Sequence, residues 1–289
     1  MLLEKGDYIA LVASSNGLSY KMEDRINYLV NKLENMGLRV ILSLNIYERS
    51  FGYNGSGKER ANNINKFFLD KRIKAIFDIS GGDLANEVLP YIDYNVISKN
   101  PKAFFGYSDL TVVLNGIYRK TGVITYNYQI RNLIMNYETI QSDNFVNTLM
   151  GNSNELFNLK YNWISGNCME GIVVGGNIRC FLKLAGTCYM PDFNEKILFL
   201  ESLSGNVSKM ATALEQYKQI GAFENINGII LGTFTEMERE GYELDIVSLL
   251  RNTIKNYNIP IVKTCDLGHG QDAKAIKIGG FLSIKKESF

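Results

Sequence analysis

Histidine is almost missing from this 289-residue chain, where His269 is the only one. Any chemistry that requires an imidazole therefore has a single candidate. Net charge is nearly missing too, with 31 Lys and Arg against 30 Asp and Glu. A nucleic-acid binder carries a basic excess or stripe, so no nucleic-acid partner is expected. No run approaches 18 uninterrupted apolar residues, so neither a membrane span nor a membrane partner is expected. The start, "MLLEKGDYIALVASS", lacks the basic opening and the small-residue cleavage site of a secretory signal. The four cysteines, at 168, 180, 188 and 265, form no CxxC pair and no metal-like spacing. The expectation is a cytoplasmic protein with free, buried thiols and no metal site. GxxxxGK(S/T) and a strand-linked GxGxxG are absent as well, and no cofactor is expected.

What is present is ample apolar material. Hydrophobic residues make up 46% of the chain, enough for one large α/β unit or two domains with a substantial core. In the first half, "YIALVAS" (8–14), "RVILSL" (39–44) and "IKAIFDI" (73–79) read as buried strands. Met22, Ile26, Leu29, Val30 and Leu33 mark a helix, and "KERANNINKFFLDK" marks another after a Gly/Asn/Ser-rich loop. A further helix is expected after Ser80-Gly81-Gly82-Asp83. Such alternation predicts a parallel sheet with helices on both faces and sites at the carboxyl ends of its strands. After a helical stretch (137–150), the polar run "GNSNELFNLKYN" reads as a linker. Beyond it come strand-like pieces at 171–176, 196–202, 227–233, 259–264 and 275–284, with helices near 207–220 and 245–257. The expected division is an α/β domain over 1–150, a linker over 151–164 and a β-rich domain over 165–289.

The segment "KAFFGYSDLTVVLNGIY" (102–118) sets a serine between a buried strand and a helix. Leu110, Val113, Leu114 and Ile117 recur at the spacing of one helix face. Ser108 there is either a helix cap or a nucleophile at the top of a sheet. A serine hydroxyl attacks only when a neighbour removes its proton, and His269, in the glycine-flanked loop "DLGHGQD", is the one available imidazole. Glu201 ends the apolar strand "KILFLE", where a carboxylate either has a partner or meets solvent. Asp109 is the rival acid, although macrodipole and capping effects account for an acid in a first helical turn. Gly81-Gly82 is either a tight turn or a place where backbone amides approach a substrate oxygen. With the amide of Asp109 these glycines could form an oxyanion hole.

Together these residues resemble the family of LD-carboxypeptidases and microcin C immunity peptidases. The resemblance rests on "GGDLANEVLPYIDYNVISKNPKAFFGYSDLTVVL", "GDYIALVASS", "GGNIRCFLKLAGTCYMPD", "KILFLE" and "LGHG", in family order along nearly the whole chain. It implies a Ser-Glu-His triad, with Ser108 as nucleophile, His269 as base and acid, and Glu201 as orienter. It also implies an N-terminal parallel-sheet α/β domain, a β-rich barrel-like C-terminal domain and a homodimer. The implied substrate is a small peptide or peptidyl-nucleotide. Either the enzyme removes the terminal D-amino acid from murein tetrapeptides, or it is an amidase acting on microcin C-like aminoacyl-adenylates. A non-catalytic cleft-binding protein is the third reading, and an intact triad argues against it.

Three segments depart from the family. "VASSNG" stands where an APS-type turn is common, "NYQIRN" follows "GVITY" where Gly-Pro is common, and Gly-Gln follows the histidine. None removes a triad member. All three bear on substrate choice. A peptide carboxylate calls for a paired cation, and Arg131 or Arg179 could supply it. A nucleobase calls for an aromatic face, and Trp163 either lines the cleft or packs the linker against a domain.

Overall fold

The structure, a computed structural model, describes residues 1–286. The first sheet contains β1 (Tyr8–Val12), β2 (Arg39–Leu42), β3 (Ile73–Asp78), β4 (Ala103–Gly106) and β5 (Thr125–Asn127). These five pair in parallel. Helices return the chain across the sheet faces between them. Helix α1 (Glu23–Asn35) buries Ile26, Leu29 and Leu33, the stripe that its spacing of three and four dictates. Helix α2 (Gly57–Leu69) opens on a capping box, in which the side chains of Ser56 and Glu59 each accept the other's amide. The helix expected after Asp83 is instead a 3-10 turn over Ala85–Tyr91 followed by the short α3 (Tyr94–Lys99). Pro90 lies inside that turn and has no amide hydrogen to continue an α-helical ladder.

Helix α4 (Thr111–Thr121) joins the two halves and is buried at every position from Thr111 to Ile117. Asn115 on α4 exchanges two hydrogen bonds with the Gly175 backbone, at 2.8 and 3.0 Å, and Thr111 Oγ1 accepts the Asn177 amide at 3.0 Å. Removing the Asn115 side chain would leave a buried peptide group unpaired, at a cost of about 1–3 kcal/mol. The chain then passes through α5 (Glu138–Phe145) into the second half.

There, β6 (Asn162–Ser165), β7 (Cys168–Asn177), β8 (Lys196–Ser202), β9 (Gly228–Phe234) and β10 (Ile261–Lys263) build a second sheet. Helices α6 (Ile178–Leu182) and α7 (Val207–Gln219) connect its strands. The run 275–284, read as one strand, divides into β11 (Ile276–Ile278) and β12 (Phe281–Lys285). β11 pairs antiparallel with β5, whereas β12 pairs antiparallel with β7, so each sheet has six strands. Gly279 makes the division: its φ is +82°, and the Tyr118 ring of α4 occupies the space a Cβ would need. The central four strands of the second sheet are parallel, flanked by antiparallel edges. β6 begins at Asn162, inside the segment read as a linker. The cysteines are free, but only Cys180 is buried; Cys168, Cys188 and Cys265 are exposed, contrary to the expectation of buried thiols. Cys188 and Cys265 sit in turns and Cys168 at a strand end, where no apolar layer covers them.

Candidate active site

Four residues separate the end of β4 from the start of α4, and the chain reverses sharply within them. Tyr107 is extended, Ser108 is left-handed with φ +56°, and a single 3-10 turn leads into the helix. A serine in that conformation costs of order 1–3 kcal/mol and persists only where its surroundings impose it. Here Leu110 folds back so closely that a Cβ on Gly106 would lie 2.8 Å from its own Cβ. The serine is thereby lifted out at the carboxyl edge of the sheet.

Asp109 does not cap the helix, contrary to the expectation from its first-turn position. Its carboxylate is fully buried. Oδ1 receives Lys183 Nζ at 2.6 Å, while Oδ2 receives Ser15 Oγ at 2.6 Å and the Ala85 amide at 2.8 Å. Lys183 also donates to the Asp83 carbonyl at 2.9 Å. One carboxylate therefore ties the serine turn to the end of β1, to the loop after β3 and to the end of α6. Burial, and then the Asp109 charge, push the neighbouring Cys180 thiol far above its usual range, so it stays protonated.

The loop after β3 is held from below by buried polar groups. Asp78 accepts the amides of Ser14 and Ser80, both at 2.9 Å, and desolvation raises its carboxyl above the usual range despite them. Arg60 donates to the carbonyls of Ser14, Ser15 and Leu84 at 2.8–3.1 Å and pairs with Glu87. The Gly81 carbonyl accepts the Asn16 amide at 3.2 Å, and Asn16 Oδ1 accepts the Asp83 amide at 2.8 Å. The amides of Gly81 and Gly82 themselves have no acceptor among the described residues.

Glu201, near the end of β8, and His269, in the loop after β10, meet in the second half of the chain. His269 Nδ1 lies 2.6 Å from Glu201 Oε2, with side-chain exposures of 5% and 2%. Gly268 (φ +130°) allows this contact, because the loop passes so close to Thr233 of β9 that a Cβ would not fit. His269 Nε2 is buried and unpartnered. The imidazole ring packs 5.2 Å from that of Tyr107, the residue before Ser108. Tyr107 Oη in turn accepts Arg131 Nη2 at 2.8 Å and lies 3.8 Å from where a Cβ on Gly81 would stand.

Glu201 and His269 are thus in direct contact, and Tyr107 links them to Ser108 and Gly81. No hydrogen bond joins Ser108 Oγ to His269 Nε2 in this structure. Trp163 lies on edge strand β6 and packs half-buried against the core of the second sheet. Arg179 is exposed and lines a groove of about 490 Å³ with Leu182, Lys209 and Gln216, which contains neither Ser108, Glu201 and His269 nor Gly81, Gly82 and Asp109. Among the described residues no three His, Cys, Asp or Glu side chains are placed to hold a metal. Sequence reasoning missed Arg60, Lys183, Ser15 and Asn16. Arg60 did leave a signal, a cation among the buried positions 57, 61 and 64 of α2; Lys183 left none.

Comparison with known proteins agrees with this architecture. Residues 9–128 match the LD-carboxypeptidase N-terminal domain, and residues 170–284 match the LD-carboxypeptidase C-terminal domain. The chain belongs to the LD-carboxypeptidase family. Its similarity to the microcin C7 self-immunity protein MccF of Escherichia coli is 27% identity, covering 98% of this chain and 91% of that protein. A Bacillus subtilis (strain 168) relative named "Probable murein peptide carboxypeptidase" is 26% identical, covering 96% of this chain and 88% of that one. Among solved structures, MccF in complex with glutamyl sulfamoyl guanosine superposes with a TM-score of 0.86 at 25% identity, covering 98% of this chain and 94% of that one.

Proposed function

We propose that this protein is a serine carboxypeptidase that hydrolyses the amide bond to the terminal D-amino acid of murein tetrapeptides. The observation that carries the proposal is the buried Glu201–His269 pair, set against the tyrosine that precedes a left-handed serine. In this reading Ser108 Oγ attacks the scissile carbonyl while His269 Nε2 takes its proton. Glu201 accepts the Nδ1 hydrogen, which fixes the tautomer that leaves Nε2 free as the base. Nε2 is buried without a partner, as a base awaiting a substrate-bound serine would be. In this reading the Ser108–His269 hydrogen bond forms in the substrate complex, since catalytic hydrogen bonds are often long before substrate binds and tighten only with it.

The oxyanion falls to the Asp109 amide and to the free amide of Gly81 or Gly82, at about 3–4 kcal/mol per donor. The tetrahedral intermediate collapses, and His269 gives its proton to the departing amine. Water then attacks the acyl-serine, with His269 again taking a proton, and releases the shortened peptide.

The second reading, an amidase for aminoacyl-nucleotides, draws support from the similarity to MccF, which has been solved with glutamyl and aspartyl sulfamoyl nucleosides. The peptide reading is preferred because Trp163, the aromatic residue considered for a nucleobase, packs in a sheet edge instead. The test is to incubate the protein with murein tetrapeptide and with an aminoacyl sulfamoyl adenosine and to follow both by mass spectrometry. Release of D-alanine from the tetrapeptide is the expected result. Cleavage of the nucleoside alone would transfer the assignment to the second reading.

A further inference from the structure

We infer that Arg131 is the receptor for a substrate carboxylate next to the scissile amide, an inference that rests on the serine-hydrolase reading above. Arg131 stands in the 3-10 turn Ile130–Ile134 that follows β5, in the segment where this sequence departs from its family. Its guanidinium is under-partnered. Nη2 donates to Tyr107 Oη at 2.8 Å, Nε is buried with no acceptor, and no ion pair involves this residue among the described residues. Arg60 gives the contrast, because it is fully buried with three carbonyls and the Glu87 carboxylate around it. Arg131 as a whole is only partly buried, and its guanidinium also lies 6.0 Å from the centre of the Tyr107 ring. Its free N–H donors are therefore within reach of a ligand carboxylate, which would pair with them and with the charge.

Position singles Arg131 out among the cations considered. Tyr107 Oη touches both Arg131 and the surroundings of Gly81, and the Tyr107 ring faces His269 at 5.2 Å. Arg131 therefore stands one tyrosine away from a candidate oxyanion donor and from the base. Lys183 is already neutralised by Asp109, and Arg179 faces the outer groove. The guanidinium fork grips carboxylates through paired N–H donors. The Tyr107 hydroxyl, which accepts from Arg131, keeps its own proton free to donate to the same carboxylate. Two sources share this chemistry: the terminal carboxylate of a departing amino acid, and the acidic side chain of an aminoacyl group.

The test measures binding apart from turnover. Affinities are measured on Ser108→Ala protein and on Ser108→Ala/Arg131→Gln protein by calorimetry. The probes are tetrapeptide with free or amidated terminal D-alanine, and aspartyl against asparaginyl sulfamoyl adenosine. The parent protein should prefer the carboxylate member of one pair by roughly a hundredfold, and that pair identifies the source. Arg131→Gln should bring this preference to near unity, and Arg131→Lys, which keeps the charge but not the fork, should restore part of it. A preference that survives Arg131→Gln, or its absence from both pairs in the parent, overturns the assignment. Kinetics on protein that retains Ser108 separate this inference from its foundation. Loss of discrimination should appear mainly in KM, whereas failure of the serine mechanism would appear as undiminished turnover in Ser108→Ala protein.

Discussion

Glu201 and His269 are 68 residues apart in the chain, and their side chains meet at 2.6 Å with almost no exposure to water. Two strands of the second sheet and the loop after a third bring them together, so their geometry is set by rigid elements. Glu201→Gln keeps the shape but offers an amide in place of one carboxylate oxygen. If the pair fixes the imidazole tautomer, kcat should fall by about 10³–10⁴ while the thermal midpoint changes little. Steady-state kinetics beside a melting curve check this. A rate within tenfold of wild type would remove Glu201 from the mechanism.

Lys183 and Asp109 carry the second prediction. Lys183→Met leaves the fully buried Asp109 carboxylate with only the Ser15 hydroxyl and the Ala85 amide. Breaking a fully buried pair costs about 3–5 kcal/mol; since Lys183 is a quarter exposed, a loss of about 2 kcal/mol is expected. The loop bearing Gly81 and Gly82 loses the Lys183 tether on the Asp83 carbonyl in the same variant and at Asp83 keeps only the Asn16 contact to the amide, so kcat should drop with KM nearly unchanged. Urea unfolding and kinetics measure the two effects together. Wild-type stability in the variant would show that the contact adds nothing.

The sequence revealed much of this and concealed the rest for a definite reason. β8 is legible to the residue because nearly every side chain from Lys196 to Ser202 is buried, and an apolar run marks such a strand. The serine turn is legible because strand, glycine, serine and helix follow one another locally. The role of Asp109 is not legible, since its partners Ser15, Ala85 and Lys183 lie 94, 24 and 74 residues away. A first-turn acid looks like a cap until those partners are located. The break at Gly279 was hidden for a similar reason: β11 and β12 are both apolar, and only the Tyr118 ring of α4 shows why the chain must turn between them. Arg131 and Arg179 looked equivalent in sequence, and their surroundings separate them: Arg131 donates to Tyr107 Oη beside the serine turn, whereas Arg179, on α6, is exposed at a groove shared with α7.

Acid stability tests the surface electrostatics. Arg72 holds the Asp70 carboxyl down at about 2, through its guanidinium at 2.6–3.2 Å and its amide at 3.0 Å. The folded value lies below the unfolded value near 3.9. The contribution is therefore present above about pH 4 and is lost as pH falls through about 2. Asp70→Asn should lower the urea midpoint slightly at pH 6, since surface pairs contribute little, and the difference should shrink below about pH 4. A difference that stays constant from pH 6 to pH 3 would contradict this assignment.

The most direct measurement is the rate of D-alanine release from murein tetrapeptide by Ser108→Ala protein. Ser108 is half-buried and its hydroxyl makes no hydrogen bond among the described residues, so its removal should leave the fold untouched. Without the nucleophile only oxyanion stabilisation and binding remain, and turnover should fall by roughly four to six powers of ten with an unchanged melting curve. Retention of near wild-type turnover by the folded variant would contradict the serine mechanism.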